Sequence, residues 1–442
     1  MHKILFLLIL FFPAIAFTQV PVNSLTLEEA IGYALENSTS MNIERMKLEE
    51  ADIHVKESRL QHIPEIFLSG DLRRNLIIPA TPVPANVFDQ SAEEGELMYL
   101  KFNTKWNSST GVNLNYDLFN PNKINRVAEQ EHQLRIQEFD AQISEENLKE
   151  SVALAYAECV IAAEQKELVI LDTAYFSGLL VNANQLYLKE QIGLTERNDA
   201  RRAYNESVAG YLEAERILGE RKAELLYIIG MEVTEDNILS VSLEEDISTL
   251  LEKMFQNNTP VNSVYDLEEM RQIEMVNLAD LRAITASFKY APTFSLNGYY
   301  GTNFYNNELS IFNKNYWRGN SYIGLSITIP ITQSLSTSKE VSRLRLQKEV
   351  ELENLRDIKN NREKERLNEL SLLQVRRDTY KLNRENWEMS QQNSDAVQLQ
   401  FEMGYIQQTD LLNERLKIQQ SRQIFLQSAY DLFSILISSN NN

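Results

Sequence analysis

Acidic side chains are the groups in this sequence that most resemble a catalytic apparatus, because two neighbouring carboxylates can share general acid and general base work. Such pairs occur at Glu28-Glu29, Glu93-Glu94 and Glu145-Glu146. The 442 residues include 63 Asp and Glu against 43 Lys and Arg, a net charge of −20, so composition alone predicts acidic pairs. We therefore interpret each pair as part of a solvated helix face. A secreted glycosidase-like enzyme with two catalytic acids is the minor alternative.

Other reactive groups are scarce. Cys159 is the single cysteine, which excludes a disulfide within the chain and a Cys-rich zinc site. It shares an apolar stripe with Ala155, Ala162 and Ala163, which favours a small core residue over a nucleophile. The four His form no cluster. We expect no catalysis, no cofactor and no metal, and the acidic balance argues against a nucleic-acid partner.

Residues 1–19 have the composition of a secretory signal peptide. Lys3 precedes the unbroken apolar run Ile4–Phe12, and Ala14–Ala16 follow Pro13 as a small-residue cleavage site. The run is too short to span a bilayer as a helix, although a membrane anchor is the alternative. We therefore expect cleavage near residues 16–19 and export of the remainder.

Four short patterns recur in the same order, which indicates an internal tandem duplication. Their offsets are 216, 228, 213 and 211 residues. The matched segments are Leu27–Ile31 with Leu243–Ile247, Pro64 with Pro292, Gly111–Leu114 with Gly324–Ile327, and Gly193 plus Asp199 with Gly404 plus Asp410. We predict a first repeat over 20–230 and a second over 231–442. A period this long indicates two similar halves and not a solenoid.

Each repeat is predicted to contain a helical segment, a β-hairpin and a helical hairpin. Pro64 ends the first helical segment, and residues from Leu100 to Leu118 alternate between apolar even positions and polar odd positions. Three prolines predict a loop over 77–96. In the first repeat we predict one helix over 25–62, a β-hairpin over 64–119 and a helical hairpin over 121–230. In the second we predict helices over 243–290, a β-hairpin over 292–331 and a helical hairpin over 334–437.

The helical hairpins begin with very long helices. Lys123–Glu190 contains no proline and one glycine, and Ser334–Met403 contains neither. Each run of about 70 residues would extend about 100 Å as a helix. Apolar residues recur at three- and four-residue steps between polar ones, which is typical of a coiled-coil stripe.

The predicted strands are long enough to cross a membrane, which takes about 9–11 tilted residues. A soluble β-sandwich is the alternative. Four strands are too few to close a barrel, and open sheet edges are not tolerated in lipid. We therefore expect several copies of the chain to pool their strands, two copies giving 8 strands and three giving 12.

The sequence resembles the TolC-like outer-membrane efflux proteins over essentially the whole mature chain. The resemblance rests on Leu27–Ile31, on Pro64 and Pro292, on Asn115–Phe119, and on the turns Ile192–Leu194 and Met403–Tyr405. It implies an α+β membrane protein with four transmembrane strands per chain. Three copies would share a 12-stranded barrel in the outer membrane, and very long coiled-coil helices would extend into the periplasm.

The resemblance also implies partners and a passive transport role. The homotrimer would dock on a periplasmic adaptor and an inner-membrane pump of the RND or ABC type, within a tripartite efflux or type I secretion system. Drug efflux, metal-cation efflux and protein secretion stay open. The alternative is a secreted or periplasmic coiled-coil structural or adhesion protein without a pore.

The turns between the long helices are the adaptor contacts that the resemblance implies. The residues concerned are Gly193, Leu194, Gly404 and Tyr405. Each Gly falls where a helix must reverse, and Gly tolerates the positive φ that such a turn requires. A role as helix caps alone is the alternative.

A periplasmic gate is also implied, with Asp410 at its narrowest part. Asn413 stands where the family often has a second acid, and Asp199 is the matching acid of the first repeat. Three copies of Asp410 around one axis would attract cations. We expect the arginines beside Asp199 to pair with acids of the neighbouring hairpin; they are Arg197, Arg201 and Arg202. A helix N-terminal acid favoured by the dipole is the alternative role of Asp410.

Overall fold

The computed structural model describes residues 24–88, 91–256, 264–331 and 333–441, so the expected signal peptide lies outside the described residues. The helices are α1 Leu27–Asn37, α2 Thr39–Leu60, α3 Arg126–Leu188, α4 Leu194–Ile229, α5 Glu235–Ser240, α6 Ile247–Gln256, α7 Val264–Phe288, α8 Gln333–Glu402 and α9 Gln408–Asn441. The strands are β1 Glu65–Arg74, β2 Thr81–Pro84, β3 Leu97–Leu100, β4 Trp106–Phe119, β5 Thr293–Asn306 and β6 Trp317–Thr328. Short 3-10 helices cover Ala85–Val87 and Lys314–Tyr316.

The chain divides into two compact units, and each unit draws on both predicted repeats. The helical unit consists of segments up to residue 43, from 142 to 266 and from 362 onward. The sheet unit consists of Glu44–Ala141 and Leu267–Asn361. The compact units are therefore not the predicted repeats.

The long helices agree with the sequence prediction. α8 is continuous over 70 residues and α3 over 63. The absence of proline from both segments explains their continuity, because an internal proline removes a hydrogen bond and clashes with the preceding turn. Among the described residues, no helix combines the length and the apolar composition needed to cross a membrane.

The helical segment that precedes the first hairpin differs from the prediction, because it is two helices and not one. The segment 25–62 is interrupted at Ser38, which has φ −61° and ψ 142° and whose hydroxyl accepts from the Met41 N–H at 3.3 Å. Serine hydroxyls compete with helical hydrogen bonds in this way. The segment 243–290 contains the helices α6 and α7, as predicted, but its start is not helical: Leu243 forms a parallel β-bridge with Leu25, and α6 begins only at residue 247.

The core of the helical unit contains small residues where helices approach closely. Ala30 and Ala34 of α1 are fully buried, as are Tyr156 and Cys159 of α3. The Tyr156 hydroxyl donates to the Leu25 carbonyl at 2.7 Å. Burial raises the pKa of the Cys159 thiol to about 12, so it stays protonated at neutral pH. The prediction that Cys159 is a small core residue is confirmed.

The sheet unit contains a four-stranded antiparallel sheet in the order β1-β4-β5-β6. Each predicted hairpin forms, and β4 pairs with β5 to join them. The predicted strand from Leu100 is wrong at its start, because Leu100 ends β3 and β4 begins at Trp106. β3 pairs with β2 in a separate two-stranded sheet, so the predicted loop over 77–96 contains a strand. Pro82 and Pro84 are compatible with β2, because a short strand with one partner leaves N–H positions free.

The two faces of the four-stranded sheet differ in chemistry, as the alternation in β4 predicts. Directly paired residues share a face, so the register assigns each side chain. The apolar face carries Ile66, Leu68, Val112, Leu114, Leu296, Tyr300, Phe304, Ile323, Leu325 and Ile327. The polar face carries mainly Ser, Asn and Asp, including Ser69, Asp71, Ser109, Asn113, Asn115, Asn297, Asn303, Asn320 and Ser326.

Candidate functional site

The turn between α3 and α4 reverses the chain at Glu190. The Gln191 N–H donates to the Leu186 carbonyl at 2.9 Å and the Glu190 N–H to the Tyr187 carbonyl at 3.0 Å, which is a Schellman motif. Glu190 adopts a left-handed φ of 58°. Gly193 instead precedes α4 with φ −80° and ψ 172°. The expectation of a positive φ at Gly193 is therefore wrong.

The turn between α8 and α9 has the same hydrogen bonds around Gly404. The Tyr405 N–H donates to the Gln400 carbonyl and the Gly404 N–H to the Phe401 carbonyl, both at 2.9 Å. Gly404 has φ 76°, so the expected positive φ is confirmed here. Glu190 and Gly404 thus hold equivalent positions.

This equivalence changes the alignment of the candidate gate residues. The left-handed residues 190 and 404 are 214 apart, and the first residues of the following helices, 194 and 408, are also 214 apart. The same offset pairs Glu196 with Asp410 and Asp199 with Asn413. The sequence match at 211 residues, which paired Asp199 with Asp410, does not correspond to equivalent positions in the turns.

Asp410 lies in the first turn of α9 and is exposed. Its Oδ2 accepts from the Gln407 N–H at 3.2 Å. A carboxylate here satisfies a backbone donor that has no partner within the helix, and the helix dipole favours its charge. The geometry therefore supplies the helix-terminal role for Asp410 within one chain.

Asp199 and its arginines interact locally. Arg202 pairs with Asp199 at 2.8 Å, one turn along α4. The Arg197 guanidinium lies over the Tyr187 ring, 4.7 Å from its centroid, and donates to Asn198 Oδ1 at 3.2 Å. These two arginines thus have partners in their own hairpin, and the expected pairing with acids of a neighbouring hairpin stays a prediction.

A groove of about 730 Å³ runs between α3, α4 and α9 in the helical unit. Asp199 from α4 and Asn413 from α9 both line it, whereas Asp410 lies outside the lining. Two of the three predicted gate residues are therefore brought together. Leu168, Phe176 and other apolar side chains form much of the remaining wall.

A buried acid that the sequence analysis missed lies at the same groove. Asp172 of α3 is 9% exposed and accepts a hydrogen bond from the Gln419 side chain of α9. Arg415 lies nearby, its guanidinium 4.3 Å from the Tyr175 ring centroid. Burial raises the pKa of Asp172, although Gln419 and Arg415 both act to lower it. The sequence does contain a signal for this buried acid. Asp172 lies three residues after Val169 and four before Phe176, which places it on an apolar stripe of the helix.

In the ranges that the structure describes, no group of three or more His, Cys, Asp or Glu is arranged to hold a metal ion.

No protein-family model matches the sequence, and no curated protein matches it. Solved structures are similar to it in fold. The outer-membrane channel CmeC of Campylobacter jejuni has 16% identity and a TM-score of 0.71, with 94% of this chain and 85% of that chain covered. The outer membrane protein VceC of Vibrio cholerae has 14% identity, a TM-score of 0.68, and coverage of 94% and 96%. The open-state MtrE channel of Neisseria gonorrhoeae has 15% identity, a TM-score of 0.68, and coverage of 94% and 88%. The resemblance found in the sequence is thus confirmed at the level of structure: this chain has the fold of the TolC-like outer-membrane channels.

Proposed function

We propose that this protein is the outer-membrane channel of a tripartite efflux or type I secretion system and conducts substrates passively. The observation that carries the proposal is the four-stranded sheet, which has one apolar face and two edges, β1 and β6, that pair with no further strand among the described residues. The fold similarity to outer-membrane channels supports the same role.

The open edges support assembly from several copies. Unpaired backbone groups at a sheet edge are costly in lipid, so β6 of one copy would pair with β1 of the next. Three copies contribute 3 × 4 = 12 strands, enough for a barrel with a lumen. β6 is exposed along almost its whole length on both faces, which is compatible with a strand that packs against other copies in an assembly.

The chemistry of the faces sets their orientation in this proposal. The apolar face, with Leu325 and Ile323, would contact lipid, and the polar face would line the lumen. The connection that contains β2 and β3 would lie outside the cell, because long loops of such barrels are extracellular.

The helical hairpins would extend into the periplasm and meet the other components. Leu194 and Tyr405 are exposed beside the two turns, which supports the tips with Gly193 and Gly404 as contacts for a periplasmic adaptor. The adaptor would connect the channel to an inner-membrane pump of the RND or ABC type. Asp410, Asn413 and Asp199 would form the periplasmic gate around the trimer axis.

Equivalent strand pairs support the tandem duplication as the origin of this architecture. Ile66 pairs with Leu114 in the first hairpin and Phe294 with Ile327 in the second. The first residues of the pairs are 228 apart and the second residues 213 apart, which are the offsets of the two sequence matches in the hairpins.

The test is assembly and conductance of the full chain. We expect extraction only with detergent, a trimer by light scattering in mild detergent, heat-modifiable migration on a gel, and channels in planar bilayers. A monomer that is released without detergent and that forms no channels would support the alternative, a coiled-coil structural or adhesion protein.

A further inference from the structure

A row of aromatic side chains crosses the polar face of the sheet at one level. Phe67, Asn113, Tyr299 and Tyr322 lie opposite one another on β1, β4, β5 and β6. The two adjacent rows on this face contain no aromatic residue; they are Glu65, Asn115, Asn297 and Gly324 on one side, and Ser69, Gly111, Gly301 and Asn320 on the other. The three rings thus form an aromatic row between two rows that have none.

Tyr299 lies close to the sheet because the next row has two glycines. A Cβ added at Gly301 would be 2.5 Å from the Tyr299 hydroxyl oxygen, and one at Gly111 would be 2.8 Å from a carbon of its ring. The Tyr299 hydroxyl also hydrogen-bonds the Ser109 hydroxyl at 2.9 Å. Any larger residue at either glycine would displace the Tyr299 ring. The position of this ring is therefore set by the backbone at the two glycines and by the hydrogen bond to Ser109.

The neighbouring rings are exposed in the single chain. Tyr322 stacks on Tyr299 with 5.9 Å between centroids and 24° between planes. Tyr322 is 58% exposed and Phe67 is 40% exposed. Exposed rings can accept a further aromatic group in the offset arrangement that such rings prefer.

We propose that this row binds the planar aromatic groups of transported solutes as they pass through the lumen. The inference rests on the proposed barrel, in which the polar face lines the pore. Three copies would contribute 3 × 3 = 9 rings. Because the strands of a barrel tilt relative to its axis, the rows would be inclined to that axis around the lumen. The preferred occupant is a solute with an exposed aromatic ring, because the adjoining polar rows offer hydrogen bonds but no comparable stacking surface.

The experiment compares two neutral solutes that differ only in aromaticity. Phenyl β-glucoside and cyclohexyl β-glucoside are titrated by saturation-transfer NMR against the full chain reconstituted in lipid nanodiscs. We expect the phenyl compound to bind about three- to tenfold more tightly, which is the change in affinity that corresponds to the free energy of one aromatic pair. The variant Phe67→Leu/Tyr322→Leu should reduce this preference, because leucine keeps the apolar bulk without the ring and Tyr299 is then the only ring left in the row. Tyr305→Leu, on the same face but in another row, should retain it.

Equal affinities for the two glucosides, or a preference as large in Phe67→Leu/Tyr322→Leu as in the wild type, overturns the inference. If the double variant does not assemble, Tyr322→Leu alone on the exposed strand β6 makes the same comparison. Trimer mass and conductance are measured on the same samples. A conducting trimer without the preference contradicts only this inference, whereas a monomer without conductance contradicts the proposed function as well.

Discussion

Glu190 and Gly404 hold the same position in the two helix-reversing turns, with left-handed φ values of 58° and 76°. In each turn the following N–H reaches back to the carbonyl five residues earlier. The shared geometry has a different energetic cost in the two turns, because a side chain makes the left-handed conformation unfavourable and glycine has none.

Exchange of these residue types should change stability in opposite directions. We expect Glu190→Gly to stabilise the helical unit and Gly404→Ala to destabilise it, each by about 1 kcal/mol. Thermal unfolding followed by circular dichroism measures the shifts. Gly193→Ala is the matched control, because Gly193 has an ordinary φ of −80° and only the flexible Glu196 side chain would have to move. A loss in Gly193→Ala as large as in Gly404→Ala would contradict this account.

A larger residue at the second turn tests the proposed adaptor contact. Gly404→Val should abolish export but leave the trimer intact, because the turn lies far along the chain from the strands that would join the copies. Export of a substrate is measured in cells together with the trimer mass of the purified protein. Loss of the trimer would instead show that Gly404 acts only as a structural cap.

A charge on the apolar face of β6 should prevent membrane insertion. Leu325 is 60% exposed on that face, and a lysine at the bilayer midplane costs about 2–4 kcal/mol in a membrane barrel. We expect Leu325→Lys to deplete the heat-modifiable trimer in the outer-membrane fraction. Asn320→Lys, on the polar face of the same strand, should assemble normally. Equal yields of the two variants would contradict the proposed orientation of the sheet.

Two substitutions at Asp410 separate its charge from its capping role. Asp410→Asn keeps an oxygen that accepts from the Gln407 N–H but removes the charge, whereas Asp410→Ala removes both. If three carboxylates form the gate, both variants should lose cation selectivity and block by multivalent cations in planar bilayers. If both variants keep wild-type selectivity, the gate assignment is wrong and the capping role alone remains.

Because Asp172 is buried, replacing it with the neutral asparagine should increase the free energy of unfolding by an amount that depends on pH. Its pKa is raised in the folded protein, so between the unfolded and folded values the folded chain binds more protons, and stability falls as pH rises through that window. Asp172→Asn should therefore be more stable than the wild type at pH 7, and this difference should vanish below about pH 3.8, the ordinary pKa of Asp.

Unfolding temperatures between pH 3.5 and about 7.5 measure the effect, since that range brackets the ordinary carboxyl titration. Asp199→Asn is the control, because Asp199 is a partly exposed acid on the same groove with an ion pair near the surface, and such pairs contribute about 0–1 kcal/mol. A stability gain in Asp172→Asn that is the same at every pH would contradict titration of Asp172 as its cause.

The sequence by itself determined the features that depend on local periodicity. The 70-residue helix Gln333–Glu402 was predictable within one residue at each end, because its segment contains neither glycine nor proline. The two faces of β4 followed from strict alternation, because successive side chains of a strand point to opposite sides. Both properties are set by residues close in sequence.

Only the tertiary structure decided the features that depend on distant contacts or on a choice between equal local options. The sheet order required β4 to pair with β5, more than 170 residues away, and no local pattern specifies that partner. The left-handed residue of the first turn is Glu190 and not the nearby Gly193, because the end of α3 fixes where the Schellman hydrogen bonds form. Asp199 and Asn413 share a groove with the buried Asp172 because α3, α4 and α9 pack together, and side-chain burial is a property of that packing.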